Sequence, residues 1–148
     1  MVPRAPAFAR RVASGVYELL ILFAVVILAT FPFIGIVGDA THGWQHTALQ
    51  AWYVVVIGAY FGWCWTHSGQ TLPMKVWRLR LVRQDGRRVE WPRAIHRYVL
   101  SLLGLAAGGL GFLWALWDSH GQFLHDRLAG TAIVEVPKSA PVSELPSA

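Results

Sequence analysis

The chain has 148 residues, of which 55% are hydrophobic and 14% charged, and its mean hydropathy is +0.42. A typical soluble domain has about 25% charged residues, so this composition excludes a disordered chain and an ordinary soluble enzyme. It favours a single-domain integral membrane protein. Cys64 is the only cysteine, which excludes an intramolecular disulfide framework and a cysteine-based zinc site.

The first apolar segment predicts a transmembrane helix. No charged residue occurs in the 20 residues from Leu19 to Gly38, and at about 1.5 Å per residue they reach about 30 Å, the hydrocarbon thickness of a bilayer. Arg4, Arg10 and Arg11 precede the segment, as they do in a signal peptide. The apolar core of a signal peptide has only about 7–15 residues, so we expect an uncleaved anchor.

Two further uncharged segments, Ala48–Thr66 and Tyr98–Trp117, predict a second and a third transmembrane helix. Each contains a GxxxG pattern, which permits close packing either within one chain or between two copies. Alternatively, the Gly108-Gly109 pair can break the third segment into a re-entrant hairpin, which returns to the cytoplasmic side instead of crossing the membrane once. The predicted fold class is an all-α membrane protein with about three transmembrane helices.

Basic residues are concentrated on one predicted side of the membrane. Residues 1–15 and 67–97 hold 11 of the 13 lysines and arginines, whereas residues 38–47 hold none. By the positive-inside rule, the N-terminus and the 67–97 loop are cytoplasmic. The side of the C-terminus depends on whether the third segment crosses or re-enters.

Residues 76–91 alternate between apolar and basic side chains around an Asp85-Gly86 turn, which predicts a short basic β-hairpin between the second and third helices. Its arginines are candidates for binding anionic lipid headgroups, at about 1 kcal/mol each, and a solvated loop is the alternative. These candidates are Arg78, Arg80, Arg83, Arg87 and Arg88. Residues 131–136 are a strand candidate that can pair with this hairpin if both lie on one side.

Glu18 is the acidic residue that falls inside a predicted span. Such residues are rare in bilayers and mark functional sites by default. Arg11 lies two helical turns before it on the same helix face, with Ser14 between them. The alternative is that Glu18 lies near enough to the end of the span to reach the headgroups. Asp126 lies in a polar helix end that Gly130 terminates.

The chain resembles the RDD family of small membrane proteins, which is named for one arginine and two aspartates. The resemblance covers about residues 7–136 and rests on Arg11, an acid one to two turns later, residues 68–80 with their Gly-Gln-Thr block, and His-Asp-Arg-Leu-Ala-Gly-Thr at 125–131. It implies that Arg11, Glu18 and Asp126 are the three family residues, with Glu18 in place of the first aspartate. Pro73 stands where the family commonly has glycine.

We therefore expect an RDD-like transmembrane domain over residues 1–136, with a Pro/Ser/Ala-rich, disordered tail over 137–148. The resemblance implies an integral protein of the bacterial inner (plasma) membrane. The family has no settled activity, although a transport role has been suggested for it.

Two functions remain open. In the first, Arg11, Glu18 and Asp126 form an intramembrane site for ion-coupled transport or ion binding, which implies a homo-oligomer because three spans do not easily enclose a pathway. In the second, the same residues are a structural clamp in a non-catalytic membrane adaptor or assembly subunit. Convergence of the three residues in a cavity open to water favours the ion site, and tight pairing in a dry interface favours the clamp.

We expect no enzyme activity, no catalytic residues, no cofactor and no metal ion, because no nucleophile with a suitable base, metal-ligand set or phosphate-binding loop is recognisable. The expected partners are the lipid bilayer and its anionic headgroups. Nucleic acid is not expected, because the basic block lies between two apolar segments.

Overall fold

The computed structural model describes residues 6–114, 117 and 122–136. The predicted tail at 137–148 lies outside the described residues, so its disorder stays a prediction. In chain order the elements are α1 (Phe8–Val37), α2 (Gly43–His67), α3 (Leu72–Val76), β1 (Leu79–Arg83), α4 (Trp91–Ala106), α5 (Leu110–Leu113), α6 (Leu124–Leu128) and β2 (Thr131–Glu135).

An antiparallel pair, α1 and α2, contains the first two apolar segments. The Trp52 indole donates to the carbonyl of Ala29 at 2.9 Å, and the hydroxyls of Thr30 and Tyr53 lie 2.7 Å apart. Two helical stretches are long and apolar enough to cross a membrane, namely α1 and the stretch that begins at Gly43. Only 6% of each apolar window is buried, whereas a core helix of a soluble protein is mostly buried. The first two predicted spans are thus confirmed as candidate membrane-spanning helices.

The third predicted span is not confirmed, because its apolar segment is not one continuous helix. Helix α4 begins at Trp91 and ends at Ala106, and α5 covers only Leu110–Leu113. Between them Gly108 and Gly109 have φ angles of 74° and 81°. This left-handed backbone ends a right-handed helix and is readily adopted by glycine. The break that the glycine pair allowed is therefore present.

The hairpin predicted for residues 76–91 is wrong, since β1 pairs instead with β2. The two strands are antiparallel, with Leu81 opposite Ile133. After the turn at Asp85-Gly86 the chain enters α4, where Pro92 lies in the first turn. Proline fits the start of a helix but cannot donate a hydrogen bond to a strand partner. The strand predicted at 131–136 is confirmed in its pairing with β1.

The sheet, α3 and α6 form a small unit at one end of the long helices, which we call the cap (residues 68–90 and 122–136). Its strands bury Leu79 and Leu81, which are each 1% exposed, and Ala132, which is fully buried. The same apolar cluster includes Trp65 at the end of α2 and Ala94 at the start of α4. The cap is therefore packed onto the helix ends.

The GxxxG pattern of the second segment is used within the chain. A Cβ atom on Gly58 would lie 2.8 Å from the ring of Tyr98, and one on Gly62 would lie 2.5 Å from the ring of Trp91. Both rings belong to α4. The two glycines let α4 pack closely against α2, as the single-chain alternative requires.

Candidate functional site

Glu18 faces the interior of the protein and joins three elements. Its carboxylate Oε1 accepts a hydrogen bond from the hydroxyl of Tyr60 in α2 at 2.8 Å. Its Oε2 accepts one from the hydroxyl of Thr71 at 2.5 Å. Thr71 caps the N-terminus of α3 and is 1% exposed. Glu18 thus ties α1 to α2 and to the cap instead of reaching outward to the headgroups.

The Gly-Gln-Thr block at residues 69–71 has a local structural role. The carbonyl of Gly69 accepts a hydrogen bond from the backbone N–H of Leu81 at 2.7 Å. The side-chain amide of Gln70 donates to the carbonyl of Leu79, also at 2.7 Å. The block therefore holds β1 on one side while its threonine holds Glu18 on the other.

Asp126 is paired with Arg97, a residue that the sequence analysis did not select. Its Oδ1 accepts hydrogen bonds from the Nε of Arg97 at 2.7 Å and from the Nη2 at 2.5 Å. The two side chains are 1% and 7% exposed. The guanidinium carbon of Arg97 also lies 4.2 Å from the ring centre of Trp65, a cation–π arrangement. This cluster joins α6, α4 and α2.

His125 lies beside this ion pair, with its Nε2 3.7 Å from Asp126 Oδ1. The pKa of His125 is lowered from 6.5 to about 4, chiefly by burial; the negative charge of Asp126 opposes this shift and the positive charge of Arg97 adds to it. The imidazole is therefore neutral at pH 7. The charged groups that the described residues bring together here are Arg97 and Asp126.

Arg11 is buried, with 6% exposure, and reaches the C-terminal segment through an aromatic ring. Its guanidinium carbon lies 4.6 Å from the ring centre of Phe123 and 5.8 Å from that of Phe8. The neighbouring Arg10 forms an ion pair with Glu135 of β2. The start of α1 is thus attached to the segment that follows the apolar helices, as the clamp hypothesis proposes.

A cavity of about 530 Å³ lies between α1, α2, α4 and α5, next to the cap. Arg11 and Glu18 both line it, and so does Arg97, whereas Asp126 lies behind Arg97. The structure therefore brings two of the three family residues to one cavity and places the third in a buried ion pair beside it. Within the described part of the chain, no group of three or more His, Cys, Asp or Glu residues is arranged to hold a metal ion.

The five arginines selected as headgroup candidates lie in or beside the cap and differ in exposure. Arg78, Arg87 and Arg88 are exposed, while Arg80 and Arg83 are half-buried in β1. The Nη2 of Arg83 lies 3.0 Å from Asp85 Oδ2. The exposed three are the ones that remain accessible to a charged surface.

Sequence reasoning missed three residues that complete the site: Tyr60, Thr71 and Arg97. Thr71 had a signal, since it belongs to the Gly-Gln-Thr block that carries the family resemblance. Tyr60 had none, because a tyrosine within an apolar segment is equally compatible with lipid contact. Arg97 was counted among the basic residues of the loop, and its burial appears only once α6 is placed against α4.

The two exposed apolar helices, joined to a small cap by buried polar contacts, indicate a helical membrane protein. The chain belongs to the RDD family, whose model matches residues 5–130. The resemblance seen in the sequence is thereby confirmed over most of the chain. No curated protein and no solved structure is significantly similar to it.

Proposed function

We propose that the chain is a non-catalytic membrane adaptor or assembly subunit, in which buried polar contacts clamp the cap to the membrane helices. The observation that carries this proposal is the Arg97–Asp126 ion pair, with side chains 7% and 1% exposed. Removal of one partner of a buried pair leaves an uncompensated charge and costs about 3–5 kcal/mol. Because both side chains are almost fully buried, the pair suits a permanent structural contact better than a site that exchanges ions with water.

Other contacts at the start of α1 support the same proposal. Arg10 pairs with Glu135, Arg11 lies over the ring of Phe123, and Glu18 accepts a hydrogen bond from Thr71. All three join α1 to the cap. With Arg97 holding α6 to α4, the cap is fastened to both sides of the helix bundle.

The clamp presents the exposed arginines Arg78, Arg87 and Arg88 at the surface of the cap. We assign this surface to the cytoplasmic side of the bacterial inner membrane, because the basic residues gather there and cytoplasmic loops are enriched in them. The β1–β2 pairing supports the placement of the C-terminal segment on the same side. Anionic lipid headgroups are the partners that this surface fits, at about 1 kcal/mol per nearby basic residue.

The proposal is tested by measuring membrane abundance and ion flux together. Arg11→Ala is expected to lower the amount of protein in the membrane, because Arg11 is buried against Phe123. Arg87→Ala is the matched control at an exposed arginine and should leave abundance unchanged. Normal abundance of Arg11→Ala, combined with loss of an ion flux that the wild type shows in liposomes, contradicts the clamp.

Ion-coupled transport is the second candidate, and the position of Glu18 favours it. The carboxylate lines the cavity together with the hydroxyl of Thr71, and Tyr60 also donates to it. Because two membrane helices do not enclose a pathway, this function requires a homo-oligomer. A Na⁺, K⁺ or H⁺ flux in liposomes that Glu18→Gln abolishes supports transport, and absence of flux in the wild type rejects it.

A further inference from the structure

A smaller cavity lies in the cap, between the end of α2, strand β1 and the turn that follows β1. Its volume is about 40 Å³. A buried water needs about 10–15 Å³ of such space, so the cavity accommodates about three water-sized atoms. Its walls include Trp65, Ser68, Gly69, Arg80, Gly86 and Arg88. Gly86 and Arg88 are exposed, so this end of the cavity lies at the protein surface.

The charged residues that line this cavity are two arginines, Arg80 and Arg88, and no aspartate or glutamate is among the described residues at its walls. Neither arginine forms an ion pair with a described residue. Asp85 and Glu90, the acidic residues that precede and follow Arg88 in the sequence, both pair with Arg83, at 3.0 and 3.4 Å. The two positive charges at the cavity are therefore not balanced within the described part of the chain.

Arg80 is the more buried of the two arginines. It is half-buried in β1, and its Nε is buried without a hydrogen-bond partner among the described residues. Buried polar groups are normally hydrogen-bonded, and the N–H groups of a guanidinium act only as donors. A ligand with acceptor oxygens and a negative charge therefore suits this side chain.

Gly69 makes room for Arg80 at the wall of the cavity. Its φ angle is 69°, and a Cβ atom there would lie 2.8 Å from the carbonyl oxygen of Leu81 and 3.2 Å from the Cγ of Arg80. Both distances are shorter than ordinary van der Waals contacts. The absence of a side chain thus lets the stem of Arg80 lie against the loop. The glycine of the Gly-Gln-Thr block therefore shapes the cavity as well as holding β1.

The cavity lies where α2 leaves the apolar region. Helix α2 ends at His67, and the next two residues, Ser68 and Gly69, line the cavity. Trp63, near the end of the same helix, is exposed, and tryptophans are enriched at membrane–water interfaces. In a chain whose α2 spans the membrane, this is the depth of the lipid phosphate groups.

We propose that this cavity binds one phosphate group, held between the guanidinium groups of Arg80 and Arg88. The three terminal oxygens of a phosphomonoester match the available space, and the planar N–H fork of arginine matches phosphate oxygens. The remainder of the ligand lies outside, because the cavity is too small to hold more.

The phosphate group has two possible sources, which are an anionic lipid and a soluble phosphate compound. The inference deepens the proposed function, since it replaces a diffuse basic surface with one stoichiometric site. Only the lipid source rests on that function, through the placement of the cap at the membrane surface.

Calorimetric titration of the full-length chain in phosphatidylcholine nanodiscs tests this inference, with empty nanodiscs as the blank. The probes are dioctanoyl phosphatidic acid and inorganic phosphate. We expect saturable binding of at least one probe, at one equivalent per chain. Binding of phosphatidic acid alone identifies a lipid as the source, and binding of inorganic phosphate identifies a site that accepts soluble phosphate.

Two adjacent arginines provide a matched pair of variants. Arg88→Gln removes a charge that lines the cavity, whereas Arg87→Gln removes an exposed charge that does not. Arg88→Gln should weaken binding by at least about tenfold, which corresponds to about 1.4 kcal/mol. Arg87→Gln should weaken it by no more than about twofold, since salt at about 0.15 M screens a charge that does not contact the ligand. Arg80→Gln should weaken binding at least as much as Arg88→Gln.

Two results overturn the inference. The first is the absence of saturable binding of both probes. The second is equal weakening by Arg87→Gln and Arg88→Gln with no effect of Arg80→Gln, which indicates a diffuse basic surface. Both Arg87 and Arg88 are exposed, so this comparison does not depend on the folding of a buried variant. Neither result bears on the clamp, which the Arg11 variant tests separately.

Discussion

Replacement of Asp126 by asparagine is the sharpest test of the clamp. The variant keeps the shape of the side chain but removes the charge that balances Arg97, which is 7% exposed. The guanidinium lies against the ring of Trp65 and is mostly buried, so solvent compensates little for the loss of the carboxylate. Loss of one partner of such a pair is expected to lower the free energy of unfolding by about 3–5 kcal/mol.

A second ion pair of the cap provides the matched control. Arg83 lies 3.0 Å from Asp85, and these side chains are 22% and 43% exposed. Since solvent screens exposed pairs, Asp85→Asn should change the free energy of unfolding by only about 0–1 kcal/mol. The asparagine oxygen at this position still accepts the backbone hydrogen bond that Asp85 receives from Arg87.

Unfolding of the purified full-length chain is followed by far-ultraviolet circular dichroism as SDS is added to a mild detergent. We expect Asp126→Asn to unfold at a clearly lower SDS fraction, with the folded-to-unfolded ratio reduced by more than about a hundredfold. The double change Arg97→Met with Asp126→Leu should restore most of the stability, because apolar residues of similar volume often replace a buried pair without loss. Equal unfolding of Asp126→Asn and Asp85→Asn would refute the buried clamp.

Three other properties can be checked in the same preparation. The pKa of His125 falls from 6.5 to about 4 on folding, so the unfolded chain binds the proton of this histidine more tightly. The free energy of unfolding should therefore fall by about 3 kcal/mol as the pH is lowered from about 6.5 to 4. His125→Gln should abolish this pH dependence, and the control His67→Gln should keep it. Gly62→Ala should lower the free energy of unfolding by about 1–3 kcal/mol, because its Cβ overpacks against the ring of Trp91. Gly15→Ala should leave it unchanged, because there is open space where its Cβ would lie. Arg88→Glu should lower the ratio of phosphatidylglycerol to phosphatidylcholine that co-purifies with the chain.

The membrane helices were predictable because their signal is local. Within lipid, every backbone N–H and C=O group must be hydrogen-bonded inside the protein, so an uncharged segment long enough to span the bilayer is expected to form a helix. Both α1 and α2 arise from such segments. The glycine pair at 108–109 also carried a local signal, since adjacent glycines with positive φ end a helix. Whether the third apolar segment breaks or crosses the membrane could not be decided locally, because it depends on the pairing of the later strand β2 with β1.

The cap was less predictable because its contacts join residues far apart in the chain. The alternation around Asp85-Gly86 correctly marks β1 and a turn, but the partner strand is residues 131–135 and not residues 87–91. Judged by the sequence pattern alone, both segments are possible strand partners for β1. The better partner is the one that places Ala132 and Thr131, both fully buried, within the core of the cap.

The same limitation explains why the sequence analysis did not select Arg97 for the site. As a basic residue at the end of the 67–97 loop, it was counted as a topological charge, yet the fold buries it against Asp126. Arg83 is likewise balanced in part by Asp85. The charge bias of the loop does not depend on these two residues, because Arg78, Arg87 and Arg88 are exposed at the same end of the molecule. In the proposed function, arginine therefore has two separable roles. Buried arginines hold the cap to the helices, and exposed arginines favour its cytoplasmic placement and its attraction to anionic lipid.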